Sequence, residues 1–458
     1  LFTRPQGCRF IALVKPHLWW VSVSVVALAL GACGGSSGPL VVSKGDAAAD
    51  AGDAAADAPA GPDAAAAETT APDGSAVEAG DPSAPTYCGR GNDVAGATPP
   101  AGFCLKRFAL VTESRALTFA PNGDLFVAAP SKAAPGGALG GPGAIILLSD
   151  DDHDGVAEPH TFLASLGPAG PGLSDVHGLA LGGGYLYFTT QNSVWRVAYA
   201  PGQRQGGTPE DLGLPATFGT GGRWTHGLAR STSGKLFASR GVYAQCGGGT
   251  PGGEISSVGA DGALTTVASG FRNPMYMRCH ATDDVCAAME LGEDLATGAT
   301  EKMVVLRPGT TYGYPCCYTT GAPAFGVAMT CGDVAREEAR FPLSDTPFGF
   351  DWEPGTWPAP FTNGIFVALH GSAYSSPPWM GASIVYAAAD PATHVPVQDW
   401  QPFLGGFGPG GTVLERPADI AFSPDGRLFF VDDTGGAVYW MAPVSLPAPA
   451  PTPPTPTP

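Results

Sequence analysis

Arg115, His177, His226, the pair Arg272 and Asn273, and Arg416 with nearby Asp419 each stand at or just before a short apolar run. Their types define the chemistry open to them. A guanidinium pairs in a fork with a carboxylate. An imidazole takes up or releases a proton near neutral pH. An Asn amide beside them adds a donor and an acceptor. Gathered at one place, such a set would hold a polyanion and pass protons next to it. These residues are far apart along the chain, so the elements that could gather them come next.

The apolar runs belong to a unit that recurs six times. Its clearest copies are ALTFAPNGDLFVA (116–128), GLALGGGYLYFTT (178–190), GLARSTSGKLFAS (227–239) and DIAFSPDGRLFFV (419–431), with weaker copies starting at Pro274 and Pro347. Each has an alternating apolar run, a tight turn and a second apolar run, which is the pattern of a β-hairpin. A third run follows each copy, as in AIILLS, KMVVLR and AVYWMA, and a fourth leads onward, as in HTFLASL and LTTVASGF. Four strands repeated at a period of roughly 40 to 70 residues predict an all-β fold, a six-bladed β-propeller. In such a ring the first strand of every blade lines the central channel. The residues just before those strands then share one mouth, rich in cationic and imidazole groups although the chain carries a net charge of −18. A positive ring in an acidic protein suits an anionic ligand or cofactor. The run CLKRFALVTES (104–114) is placed to close the ring as an outer strand of the last blade.

The rest of the chain divides simply. Arg4, Arg9 and Lys15 precede an apolar stretch ending in Leu30-Gly31-Ala32-Cys33-Gly34, so residues 1–33 read as a lipoprotein signal peptide with Cys33 as the lipidated residue. Residues 34–86, rich in Ala, Asp, Gly and Pro, cannot bury enough apolar surface to order themselves and read as a disordered tether. Residues 87–443 form the propeller, and 444–458 a Pro-rich tail. The expected location is therefore outside the cytoplasm, lipid-anchored at a bacterial outer membrane. Nothing basic enough to bind nucleic acid is present. Export permits disulfides. Beyond Cys8 and Cys33 there are eight cysteines. Proximity suggests Cys88 with Cys104, Cys279 with Cys286, one of Cys316 and Cys317 with Cys331, and Cys246 with the other. No CxxCH haem-attachment motif occurs.

Several motifs are more specific than the hairpins. GFRNPMYM (270–277), LGEDL and KMVVLRPGTTYGYP (291–315), FTNGIFVALHGSA (361–373) and RPADIAFSPDGRLFFVDDTGGAVYWM (416–441) keep an order that resembles the glucose/sorbosone dehydrogenase family. The resemblance covers most of 107–441. It implies a six-bladed propeller that uses pyrroloquinoline quinone (PQQ) and calcium to oxidise a sugar or polyol, passing electrons to an external acceptor such as a cytochrome. It implies that Arg272 and Asn273 lie over and beside the quinone, that Arg115 and Arg416 hold its carboxylates, and that His370 lines the same mouth. It also implies that a loop around Met289 and Glu290 lends backbone carbonyls to a catalytic calcium. One departure stands out. Where the family places its catalytic base, this chain has Arg223, which stays protonated at neutral pH. Either His226 serves as the base or the proton transfer is lost. The loss would leave a non-catalytic surface propeller that binds a glycan or a protein.

A second metal signal is read from the residues alone. Asp150, Asp152 and Asp154, then Gly155 and Glu158, follow the alternation of a short calcium loop, the other reading being a solvated acidic turn.

Overall fold

The computed structural model describes residues 86–448 apart from 134–136, 139–142, 166–170, 293–298, 325–329, 373–380 and 409–413. Cys33, the signal segment, the tether up to residue 85 and the tail beyond 448 lie outside the described residues. So do parts of the LGEDL and HGSA motifs.

Six antiparallel sheets of four or five strands make six blades. Their inner strands are Ala116–Phe119, Leu179–Gly182, Leu228–Arg230, Asn273–Cys279, Pro347–Trp352 and Pro417–Phe422, for blades 1 to 6. Each hairpin read from the sequence is present, including the two weaker copies in blades 4 and 5. Among the described residues there is no α-helix, only two three-residue 3-10 turns.

The ring closes as expected. Phe103–Leu110 pairs antiparallel with Ala437–Pro443, so the start of the described chain completes the last blade. Cys88–Cys104 anchors that closing strand. Cys246–Cys316, Cys279–Cys286 and Cys317–Cys331 complete the disulfide set, which settles the choice left open between Cys316 and Cys317. Leu446 is buried against the same blade, and its carbonyl accepts from the Tyr87 N–H at 3.3 Å.

Alternation along the strands sends aromatic rings between blades. Phe126 meets Phe162 and Tyr199 edge-on, each at 4.9 Å, and Phe429 sits 5.0 Å from both Phe108 and Phe119. Such pairs contribute about 0.5–1.5 kcal/mol each beyond their burial. At the centre the inner strands crowd. A Cβ on Gly178 would lie 2.6 Å from the Leu228 nitrogen, and one on Gly227 would lie 2.7 Å from the Met275 carbonyl, so only glycine lets blades 2, 3 and 4 approach this closely. Blade 3 carries one strand not foreseen. Thr310–Thr311 adds parallel to Leu264–Phe271.

Candidate active site

What fixes the mouth is a device repeated near the end of the second strand in four of the blades. In blades 2 and 3 a hydroxyl accepts the backbone N–H at the start of the inner strand: Thr189 Oγ1 takes Gly178 N–H at 2.8 Å, and Ser239 Oγ takes Gly227 N–H at 2.7 Å. In blades 4 and 6 a buried carboxylate does the same work. Glu290 Oε1 accepts the Arg272 N–H at 2.5 Å, and its Oε2 faces Lys302 Nζ at 3.1 Å. Asp432 accepts the N–H groups of Glu415 and Arg416 at 2.7 and 2.9 Å. Arg272 and Arg416 are thus held by their backbones at the starts of the inner strands of blades 4 and 6.

Arg115, His370 and Arg416 meet around Asp433. Asp433 Oδ2 lies 3.1 Å from Arg115 Nη1 and 2.9 Å from His370 Nε2, while Arg416 Nη2 donates to His370 Nδ1 at 2.7 Å. Nδ1 is therefore an acceptor and Nε2 carries the proton, so His370 is neutral. Burial, with Arg416 and Arg115 close by, lowers its pKa to about 4. Burial also lowers Arg416, to about 10. It works against the Asp433 anion too, yet His370, Arg115 and Arg416 hold that carboxyl below the usual range. Phe348 stacks flat on His370 at 4.1 Å with Arg115 5.7 Å from its ring centre.

A chain of contacts leads from this cluster across the mouth. Phe348 packs on Tyr276 at 5.1 Å, and the Tyr276 hydroxyl donates to the Arg115 carbonyl at 2.8 Å. Tyr276 and Trp224 flank the His177 ring at 4.9 and 5.9 Å. On the far side Thr225 donates to Asn273 Oδ1 at 3.3 Å. A Cβ on Gly241 would strike Asn273 Oδ1, the Arg272 carbonyl and Arg223 Cγ together, which gathers those three residues around one glycine. Arg223 lies 3.7 Å over the ring of Tyr243, which is 59 % exposed on the rim. The YGYP motif buttresses this side. Tyr314 Oη bonds both the N–H and the carbonyl of Ala244, and Cys246–Cys316 ties the same loop covalently.

The two imidazoles at blade starts differ sharply. His226 is wholly buried, tilted against Phe218 at 4.5 Å, with Nε2 3.0 Å from the Gln191 carbonyl. That nitrogen must carry the proton it donates, and burial lowers the group to about 4. The expectation that His226 offers a base to the mouth meets a ring enclosed between blades. His177 is also wholly buried, but neither ring nitrogen has a hydrogen-bond partner, and it lines a central cavity of about 140 Å³. Tyr276, Arg278 and Asp419 line it too. Burial, with Arg115 nearby, lowers His177 to about 3. Asp419 sits deeper than the mouth, where burial raises it to about 6. It accepts the Leu117 N–H at 2.7 Å.

Two further expectations need correction. Met289 and Glu290 are not in a loop. They belong to the strand Cys286–Leu291, which is paired on both sides, with Asn273–Cys279 and Glu301–Val305. The apolar run through Ala287, Ala288 and Met289 is core, so the strand continues past the point where the resemblance placed calcium ligands. In the acidic hairpin Asp150, Asp152 and Asp154 do converge, with carboxylate oxygens within 4.8 Å of one another. Glu158 stands apart and accepts the Asp151 N–H at 3.3 Å. Asp433, Phe348, Tyr243 and the capping Glu290 and Asp432 were not foreseen.

No protein-family profile matches the chain, and no curated protein matches it. Solved structures do. The iodide structure of a Trichoderma reesei protein of carbohydrate-active enzyme family AA12 superposes with a TM-score of 0.61 at 18 % identity, over 76 % of this chain and 97 % of that one. The holo form of the pyranose dehydrogenase PQQ domain from Coprinopsis cinerea gives 0.59 at 17 % identity, over 76 % and 99 %. The chain shares the fold of these two proteins. The apo-form soluble aldose sugar dehydrogenase of Escherichia coli is similar at 0.52 and 13 % identity, over 74 % and 99 %.

Proposed function

We propose that this chain is a PQQ-dependent dehydrogenase that oxidises a sugar or related polyol and hands the electrons to an external acceptor such as a cytochrome. The observation that carries the proposal is the mouth itself. Arg115 and Arg416 stand on one side and Arg272 with Asn273 on the other, in a chain whose net charge is −18. The fit to a tricarboxylate rests on two features: Arg115 and Arg416 brought together beside a single carboxylate, Asp433, and the orphaned nitrogens of buried His177 at the central cavity. When bound, the quinone would supply the hydride acceptor for oxidation of the substrate carbon. Arg115 and Arg416 would pair its carboxylates, and Arg272 would supply fixed positive charge opposite them. Calcium is the second cofactor proposed. A calcium structure of the T. reesei protein is among the similar folds, and Met289 and Glu290 lie in a paired strand, not in a loop.

For the substrate hydroxyl proton we favour His177 over His226. What supports it is that His177 lines the cavity with both nitrogens unpartnered, whereas His226 already donates to Gln191. Export and lipid attachment at Cys33 complete the proposal, and four disulfides among the described residues support the export part.

The test is turnover. The purified chain, loaded with PQQ and calcium, is assayed on a panel of aldoses and polyols with a dye acceptor. Sugar-dependent dye reduction is expected, and its loss in His177→Gln. One observation favours a non-catalytic glycan-binding propeller instead, namely Arg223 packed on Tyr243 at the position of the family's base. If only Arg223→His turns over sugar, that second reading holds.

A further inference from the structure

On the face opposite the mouth, the turn joining the first two strands of blade 4 carries His280 and Asp283. The loop before the last strand of blade 5 carries His394. We propose that His280, Asp283 and His394 form a site for a divalent transition-metal ion, such as zinc, that links blades 4 and 5. One nitrogen from each ring and one carboxylate oxygen all lie within 4.8 Å of one another. Asp283 Oδ2 is 2.6 Å from His394 Nε2 and 3.7 Å from His280 Nδ1. Ligands bound at about 2.0–2.2 Å to a tetrahedral ion stand roughly 3–3.5 Å apart, so these separations bracket what the ion requires. Two imidazoles and a carboxylate are the donors that borderline ions such as Zn²⁺ and Cu²⁺ select, in contrast to the all-oxygen sets of calcium.

The surroundings hold the donors ready. Asp283 Oδ1 accepts the Val285 N–H at 2.9 Å, which leaves Oδ2 to the two rings. Cys279–Cys286 locks the turn directly beside His280. His394 is fixed through its backbone, with its N–H on the Asp390 carbonyl and its own carbonyl accepting from Trp352 Nε1 at 2.9 Å. Such outer contacts aim metal ligands. The two rings stack at 3.5 Å and 14°, so binding requires one ring to turn its nitrogen toward the other two donors. Asp283 is the most open of the three, with a side chain 41 % exposed, and gives the ion a path in and a place for water. Trp352 lies 5.4 Å from His280 and 6.4 Å from His394, within quenching range of a bound copper ion.

The test uses the full chain, stripped with chelator and titrated with Zn²⁺ by calorimetry, with no quinone present. One site of micromolar or tighter affinity is expected, weakened at least tenfold in His394→Gln and in His280→Gln, and unchanged in Asp152→Asn of the acidic hairpin. Copper bound to the unaltered chain gives a second readout free of any folding defect in the variants. Its electron paramagnetic resonance spectrum should show two imidazole nitrogens, with quenched tryptophan emission. No uptake at micromolar zinc, uptake undiminished in both His variants, or a copper spectrum with oxygen donors alone would overturn the proposal.

Discussion

His177 is the residue on which the chemistry turns, and its environment makes it testable. Burial places its pKa near 3 in the folded chain, against an ordinary value of 6.5. Below pH 6.5 the unfolded chain takes up a proton there and the folded chain does not. Folding stability attributable to this group is therefore lost at about 1.4 kcal/mol per pH unit as pH falls from 6.5 toward 3. His177→Gln removes that dependence. Denaturant titrations of parent and variant should show the parent losing ground at this rate between pH 6.5 and 5. Parallel curves would mean that His177 titrates normally. Not all of this was legible in the sequence. Both His177 and His226 precede apolar strands, and nothing local distinguishes them. What separates them is Phe218 and the Gln191 carbonyl on one side, and Tyr276 and Trp224 on the other, all brought in by folding. Asp433 escaped notice for a related reason, since its partners Arg115 and His370 come from the two neighbouring blades and not from its own hairpin.

At the scale of the element, a capping side chain near the end of the second strand aims the mouth in blades 2, 3, 4 and 6. Glu290 is the most demanding instance, because it is wholly buried between the Arg272 N–H and Lys302. Glu290→Gln keeps an oxygen for the N–H but strands the lysine. Breaking a buried pair in this way costs roughly 3–5 kcal/mol. Glu290→Ala removes the cap as well and should weaken quinone binding further by loosening Arg272. Chemical denaturation checks the first claim, and a Gln variant within about 0.5 kcal/mol of the parent would refute it, since changes that small are ordinary for sites without such a role. Hairpins were readable because alternation and turn glycines act locally. Around Met289 and Glu290 the resemblance suggested a calcium loop, although Glu290 and its partners Lys302 and Arg272 make this part of the strand Cys286–Leu291 core.

The whole molecule depends on closing a ring. Phe103–Leu110 supplies the strand that removes the free edge of blade 6, and Cys88–Cys104 secures it. A disulfide closing 16 residues stabilises by about 3 kcal/mol in the chain-entropy account. Replacing both cysteines by Ala should lower the unfolding midpoint and speed amide exchange first in that strand. Exchange that accelerates first in another blade would place the weak point elsewhere. Closure was legible because an unpaired apolar run preceded the first hairpin. The meeting of Arg115 with Arg416, from the first and last blades, was legible only through the repeat, which states where inner strands begin.

The account's central claim is that blades far apart along the chain deliver their guanidinium groups to one anionic ligand. Equilibrium titration of the purified chain with PQQ in the presence of calcium, followed by the quinone's absorbance, tests it most directly. One quinone per chain is expected, with affinity reduced at least tenfold in Arg115→Ala and in Arg416→Ala and weakened by added salt. No binding at micromolar quinone, or binding indifferent to both arginines, would contradict it.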